Sequence, residues 1–384
     1  MFERELKELE ENNLLRSIIS RYSPQCPVIT IDRKKYLNFS SNDYLGLASN
    51  QEIVRAVENS LKQYAFGSGA SRLLAGGSIL HKKLEAHIAR FKGTKAALIF
   101  NSGYSANTGI IPSIASEADV IFSDELNHAS IIDGCRLSRA KTMVYRHRDM
   151  AHLQALMKKA GARRRIVATD TVFSMDGDLA PLPDIYEICK KHEAMLYLDD
   201  AHGTGVLGRG RGALAHFGLK PEAWVIQMGT FSKALGAYGA FVSAGEDVIK
   251  WISNTARSFM FSTALPSCVI AAAEAGLGLV ERNPSLVEKL WSNRDKLFEG
   301  LKSLGYNDVA SSTPILTIRT IRVSEALRLS EYLYAKGIYV PAIRPPTVIG
   351  PRLRITVTAS HTAKHIDTLI SMLKKADIGN YSGG

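Results

Sequence analysis

Between positions 96 and 244 the chain alternates short apolar runs with helix-patterned stretches, and no other feature limits the fold as strongly. The apolar runs lie at 96–100, 119–122, 165–169, 194–199, 223–228 and 239–243. Each is long enough for one strand and lacks the strict apolar–polar alternation of a strand with one wet face. Strands apolar on both faces and separated by helices form a mostly parallel sheet covered on both sides. One helix is clear just before them: Leu80, Leu84, Ile88 and Phe91 share a face, with His81, Lys82, Lys83 and Arg90 placed elsewhere.

Beyond Ser267 the texture changes. An Ala-, Leu- and Glu-rich stretch over 268–304 has helical spacing in parts, with Asn283-Pro284 as a break. Strand candidates follow at 315–318, 338–340 and 353–357, with helix-like 325–336 between the first two. The expected organisation is an N-terminal helix and extended segment over 1–45, a large α/β domain over 46–275, and a smaller α+β domain over 276–384.

Composition narrows the function. The 384 residues hold four cysteines, far apart and without a CxxC pair, so neither zinc spacing nor a disulfide scaffold is present. The net charge of +11 is dispersed. Its densest cluster, Arg163-Arg164-Arg165, reads as a solvated turn before a strand, and no nucleic-acid module accompanies it. The excess suits an anionic partner, such as a nucleotide-bearing thioester or an acidic carrier protein. No apolar run reaches the roughly 20 residues that span a bilayer. Residues 1–19 read as an amphipathic helix rather than a signal peptide, so a cytoplasmic protein without membrane attachment is expected.

The chemistry gathers after the strands. Asp199-Asp200-Ala201-His202-Gly203-Thr204-Gly205 follows the apolar run ending at Leu198, which puts two acids at a strand's carboxyl end, where open α/β sheets bind ligands. Gly203, Gly205 and Gly208 match a dinucleotide fingerprint literally. The chain then runs Arg209-Gly210-Arg211-Gly212, which is loop rather than amphipathic helix, so that reading is set aside. A metal site on Asp199, Asp200 and His202 lacks a further ligand cluster to complete it.

Lys233 stands among small and hydroxyl residues, Gly229, Thr230, Ser232, Ala234 and Gly236, after a second strand. Alone, a lysine there is an ordinary surface residue. With Asp199 at a neighbouring strand end it matches the needs of pyridoxal 5′-phosphate (PLP): an amine for a Schiff base, and an acid that keeps the pyridine nitrogen protonated. Ser102-Gly103-Tyr104 opens a helix and presents free N–H groups to a phosphate, although a plain capped helix start explains it nearly as well. His128, otherwise an ordinary structural histidine, and Ser174 also follow strand ends. Five such segments converge on one cleft.

At these residues the chain resembles the α-oxoamine synthases, fold-type I PLP enzymes that condense an amino acid with an acyl thioester. The resemblance covers most of the chain. It includes the run from Asn38 to Leu47, Phe66-Gly67-Ser68-Gly69, the His128 segment, Phe173 to Asp178, Asp199 to Gly205, Thr230 to Lys233, and Phe261 to Pro266. Within the group, Ile343-Arg344-Pro345-Pro346-Thr347-Val348 is most similar to the member that joins L-alanine to a pimeloyl thioester for biotin synthesis. The relatives that use glycine with acetyl-CoA, or that make 5-aminolevulinate or palmitoyl-serine products, differ there.

The resemblance implies a homodimer with shared active sites, acting on L-alanine and on pimeloyl-CoA or a pimeloyl-carrier protein. It implies that Lys233 carries PLP and then serves as base, that Asp199 pairs with the pyridine nitrogen, and that His128 stacks on the ring. His202 and Ser174 would lie near the phenolic oxygen. Gly103, Tyr104, Thr230 and Ser232 would hold the phosphate, with Ser102 beside them and Thr263 reaching in from the other subunit. Asn42 and Arg354 would take the substrate carboxylate, with Thr347 also on substrate. The loop before Arg352 is shorter than usual, which makes Arg352 the fallback for Arg354.

Overall fold

The computed structural model describes residues 2–309 and 312–376. By its internal contacts the chain forms two compact units. The larger comprises Asn50–Phe173 and Leu179–Val287, and the smaller comprises Met1–Ser49, Ser174–Asp178 and Glu288–Gly384.

The larger unit is built on a seven-stranded sheet. Its strands in chain order are β1 (Ala96–Phe100), β2 (Val120–Asp124), β3 (Lys141–Tyr145), β4 (Arg165–Asp170), β5 (Met195–Asp199), β6 (Val225–Thr230) and β7 (Ala240–Ala244). Across the sheet they run β1-β7-β6-β5-β4-β2-β3. Only β7 is antiparallel to its neighbours; the pairs from β6 to β3 are all parallel. Strands β2, β6 and β7 are buried at every position, which is why none shows the apolar–polar alternation of a strand with one wet face. Leu98, Ile121, Tyr197, Ile226, Met228 and Val242 pack against Ile110 and Ile111 of helix Gly103–Ile114, Ile131 of helix Ala129–Ser138, and Ile252 of helix Glu246–Thr255. Each such side chain stabilises the unit by about 1.5–3 kcal/mol.

Helix Ile79–Lys92 buries Leu84, Ile88 and Phe91 as its spacing predicts. It also buries His81, which the pattern placed off that face. His81 Nδ1 folds back to accept the backbone N–H of Ser78 at 3.1 Å, so the ring caps the helix instead of facing water. Asn283 separates helices Ser267–Arg282 and Pro284–Ser303, as the Asn-Pro signal predicts.

The smaller unit contains two three-stranded sheets. Val28–Ile31 pairs antiparallel with Lys34–Asn38, and Ile338–Tyr339 adds in parallel. Arg352–Thr356 pairs antiparallel with both Ile315–Arg319 and Ala342–Ile343. The N-terminal helix is shorter than expected, Glu3–Glu11 rather than 1–19, because Asn13 turns into the left-handed region at φ 57° and ends it. Among the described residues, no helix is long and apolar enough to cross a membrane.

Candidate active site

Loops leave the carboxyl ends of β1, β2, β4, β5 and β6, and each of the five carries a site candidate. Asp199 ends β5 and is 5% exposed. Its Oδ1 accepts the N–H of Ala201 at 3.0 Å, and its Oδ2 accepts Nδ2–H of Asn107 at 2.8 Å. Asp170 ends β4 directly opposite it. Two carboxylates at adjacent strand ends do not both ionise cheaply. Burial, and then the charge of Asp199, push the Asp170 carboxyl well above the usual range, against the His128 N–H and the Lys233 charge.

His128 caps helix Ala129–Ser138. Its backbone N–H donates to Asp170 Oδ2 at 2.7 Å. Its Nδ1 meets the Ser130 hydroxyl at 2.7 Å and accepts the Ser130 N–H at 3.2 Å. The residue is open to solvent overall, yet this ring nitrogen is enclosed by its own helix turn. Desolvation holds the imidazole below its ordinary pKa; the Asp199 charge opposes that shift and the Lys233 charge reinforces it. Tyr104 meets the ring edge-on with centroids 6.5 Å apart.

Lys233 is half-buried in the turn after β6. That turn is fixed by Phe231 N–H to Gly239 O at 2.9 Å, Ala237 N–H to Phe231 O at 2.9 Å, and Gly236 N–H to Lys233 O at 3.0 Å. Asp199 and Lys233 are both close enough to His128 for their charges to act on its imidazole.

The phosphate candidates divide. Ser102 N-caps helix Gly103–Ile114, its Oγ accepting the Ser105 N–H at 3.1 Å. A Cβ on Gly103 would stand 2.9 Å from Thr230 Cγ2, so only glycine lets the helix start approach β6 this closely. Thr230 is 4% exposed, and its hydroxyl is buried without a hydrogen-bond partner. A helix N-terminus beside an orphaned buried hydroxyl fits the phosphate of PLP. Ser232 and Thr263 are both exposed, and the Thr263 carbonyl accepts Asn101 Nδ2–H at 3.0 Å.

His202 is buried, 7% exposed, in the loop after β5. Its neighbour Asp200 is committed elsewhere. It pairs with the buried Lys92 Nζ at 2.7 Å and accepts from Thr171 Oγ1 at 2.7 Å and Thr204 Oγ1 at 3.0 Å. The segment 203–212 is loop and a three-residue 3-10 turn, not the helix a dinucleotide fingerprint needs.

In the smaller unit, Arg354 is 5% exposed. Its Nη2 donates to Asn42 Oδ1 at 3.0 Å, its Nη1 to Thr356 Oγ1 at 2.9 Å, and its Nε to the Ser174 carbonyl at 2.5 Å. Arg352, the fallback, is already paired with Asp176. Thr347 is exposed and accepts Arg16 Nη2–H at 3.1 Å.

Three participants escaped the sequence reading: Asp170, Ser130 and Asn107. Asp170 had a usable signal, an acid one residue past the apolar run 165–169, the same pattern as Asp199. Asn107 and Ser130 had none, since they reach the site from helices.

The match to known proteins covers nearly the whole chain. The family model described as aminotransferase class I and II spans residues 34–373. A putative 8-amino-7-oxononanoate synthase of Thermodesulfovibrio yellowstonii is 50% identical over 97% of this chain and 96% of its own length. The 8-amino-7-oxononanoate synthase of Lysinibacillus sphaericus is 44% identical over 97% of each. Among solved structures, a serine palmitoyltransferase from S. paucimobilis with a bound PLP–myriocin aldimine superposes with a TM-score of 0.92 at 29% identity, covering 98% of this chain and 97% of that one. The chain belongs to the class I and II aminotransferase family and, within it, to the fold-type I, PLP-dependent α-oxoamine synthases, on the 8-amino-7-oxononanoate synthase branch.

Proposed function

We propose that this chain condenses L-alanine with a pimeloyl thioester, carried on CoA or on a carrier protein, to give 8-amino-7-oxononanoate, carbon dioxide and the free thiol. The observation that carries this reading is the buried Asp199, held by Asn107 and Ala201 at one strand end, with Lys233 at the next and the orphaned Thr230 hydroxyl beside Gly103. Bound PLP supplies an electron sink for the charge that develops at the amino acid's α-carbon.

The protein's residues do the rest. Lys233 would hold the cofactor through Nζ, and its free amine would take the proton from the alanine α-carbon. Asp199 keeps the pyridine nitrogen protonated, and His128 covers the ring. His202 and Ser174 serve the phenolic oxygen. Thr230, Ser232, the Ser102-Gly103-Tyr104 helix start and Thr263 of a second copy hold the phosphate. Arg354 suits the alanine carboxylate because its planar fork, already ordered by Asn42 and Thr356, grips two oxygens with two hydrogen bonds. Thr347 contacts substrate. A carbon–carbon bond then forms between the alanine α-carbon and the thioester carbonyl, the thiolate departs, the alanine carboxyl leaves as carbon dioxide, and the electron pair left on the α-carbon takes up a proton, for which the protonated Lys233 is the donor. Orientation and proton transfer are what these side chains contribute to rate.

A homodimer is part of this reading. Phe66, Leu74 and Phe261 are each at least 70% exposed, large apolar surface of the kind a second copy covers. We place the reaction in the cytoplasm, in keeping with four cysteines that form no disulfide. Steady-state assays test the substrates. Turnover with L-alanine plus pimeloyl-CoA or a pimeloyl-carrier protein is expected; turnover with only glycine plus acetyl-CoA would move the chain to another branch of the family. A visible absorption band of bound PLP is expected in the purified protein and should disappear in Lys233→Ala.

A further inference from the structure

Asp199 ends strand β5 and His128 caps the helix Ala129–Ser138, yet one side chain touches the support of both. Asn107 is fully buried in helix Gly103–Ile114. The Tyr197 hydroxyl donates to its Oδ1 at 2.6 Å, which fixes which way the amide points. Both hydrogens of its Nδ2 are then spent inward, one on Asp199 Oδ2 and one on Ser130 Oγ, each at 2.8 Å. Because Ser130 Oγ receives that hydrogen, its own proton is free to point at His128 Nδ1, 2.7 Å away. The Ser130 N–H aims at the same Nδ1, so that nitrogen presents its lone pair and the ring proton sits on Nε2.

We infer that Asn107 is a positioning residue that sets two states at once: the orientation of the Asp199 carboxylate and, through Ser130, the Nε2–H tautomer of His128. The roles of Asp199 and His128 toward PLP rest on the function proposed above; the hydrogen-bond relay does not. Donors run in one direction along it, from Tyr197 to Asn107 to Ser130 to His128, with Asp199 as a branch. The other groups that act on His128 are the Asp199 and Lys233 charges, Asp170 on its backbone N–H, and the edge of Tyr104. A helix-borne amide thus couples the acid that serves the pyridine nitrogen to the imidazole that covers the ring.

Two substitutions separate the branches in the full chain, each checked for folding by circular dichroism. Asn107→Asp keeps the shape but offers only acceptors. The Ser130 hydroxyl should turn toward the new carboxylate and leave His128 Nδ1 to carry a proton. Long-range 1H–15N correlation on histidine-labelled protein reads this directly: wild type shows the Nε2–H tautomer, and the variant shows Nδ1–H or a titration midpoint raised by about one pH unit or more. Asn107→Leu removes the donor to Asp199. The acid limb of PLP binding, followed by the visible band against pH, should then move up by about one unit, because hydrogen bonds to a charged carboxylate favour that form.

If Asn107→Asp does not fold, Ser130→Ala replaces it: loss of the relay hydroxyl should shift the His128 midpoint while the acid limb of PLP binding stays at its wild-type position. An unchanged His128 tautomer and midpoint in the folded variant overturns the inference, as does an unmoved acid limb in Asn107→Leu. A wild-type chain that takes up no PLP defeats the proposed function instead, and the tautomer in the cofactor-free chain still decides the relay.

Discussion

The pair Lys92–Asp200 gives a sharp test of how the loop after β5 is held. Both side chains are buried, at 0% and 2% exposure, and Nζ lies 2.7 Å from Oδ2. The ammonium also donates to Thr204 Oγ1 at 3.2 Å and to the Arg211 carbonyl at 2.9 Å, so all three of its hydrogens are used. Lys92→Met removes that cation and leaves the carboxylate with only the Thr171 and Thr204 hydroxyls and the Ala213 N–H. Removing one partner of a buried pair costs about 3–5 kcal/mol, because an uncompensated charge stays behind. With a urea slope of about 3 kcal/mol/M or slightly more for a chain of this size, the unfolding midpoint should fall by about 1 M. The double change Lys92→Met with Asp200→Asn removes the stranded charge and should recover most of that loss. Urea titration followed by far-UV circular dichroism measures both. A Lys92→Met midpoint within about 0.2 M of wild type, or a double variant no better than the single, would refute the argument that this pair is a structural tie.

Three further outcomes follow from the same coordinates. Gly212 sits at φ +100°, and a Cβ there would fall on the Asp200 carboxylate and lie 2.5 Å from Lys92 Nζ; Gly212→Ala should therefore lower the thermal midpoint more than Gly161→Ala, where a Cβ meets nothing within 4 Å. His87 bonds Glu274 at 2.8 Å and Glu281 at 2.6 Å, tying helix Ile79–Lys92 to helix Ser267–Arg282. The Glu274 bond, opposed by burial and aided by Glu281, raises its pKa. A raised pKa means the stabilisation is complete below the unfolded value of about 6.5 and is lost as pH climbs through the folded one. The melting-temperature advantage of wild type over His87→Gln should accordingly shrink from pH 6 to pH 9, and a constant gap would contradict it. Arg354→Lys keeps the charge but loses the fork, so kcat/KM for L-alanine should drop by about tenfold or more while KM for the acyl thioester stays near wild type.

The legible parts of this protein are those where one physical cause leaves an unbroken trace along the chain. Strand β1 is read at its observed ends because Ala97 through Phe100 are all buried; β6 and β7, buried throughout, are located as strands but begin and end one or two residues later than their apolar runs. Strand β3 escapes because it is an edge strand with Lys141, Thr142 and Val144 largely in water, so no apolar run marks it. The hairpin Val28–Ile31 to Lys34–Asn38 escapes for a different reason. Its turn places Asp32 and Arg33 at φ 45° and 64°, positions usually announced by Asn-Gly, and Arg carries no such signal. The excursion of Ser174–Asp178 into the smaller unit is likewise invisible, since it depends on contacts such as Thr313 Oγ1–H to the Gly177 carbonyl at 2.7 Å.

The same distinction explains which part of the site was legible. Asp199, Lys233 and Thr230 sit at or just after strand ends, where the break between an apolar run and a polar residue is itself the signal. Their neighbours Asn107 and Ser130 arrive from helices, and their importance lies in which atom of each side chain is donor and which is acceptor. That polarity is a property of the assembled sheet. Asn107 can give both its hydrogens inward only because Tyr197, pointing from β5, has already claimed its oxygen. Asp170 and Asp199 show the consequence for charge. Two acids end adjacent parallel strands in register, each after an apolar run. One receives the Asn107 donor and a turn N–H. The other accepts the His128 N–H in its place, and burial and the Asp199 charge push its carboxyl well above the usual range. A linear pattern locates both acids; only the donors arranged around them make the two environments different.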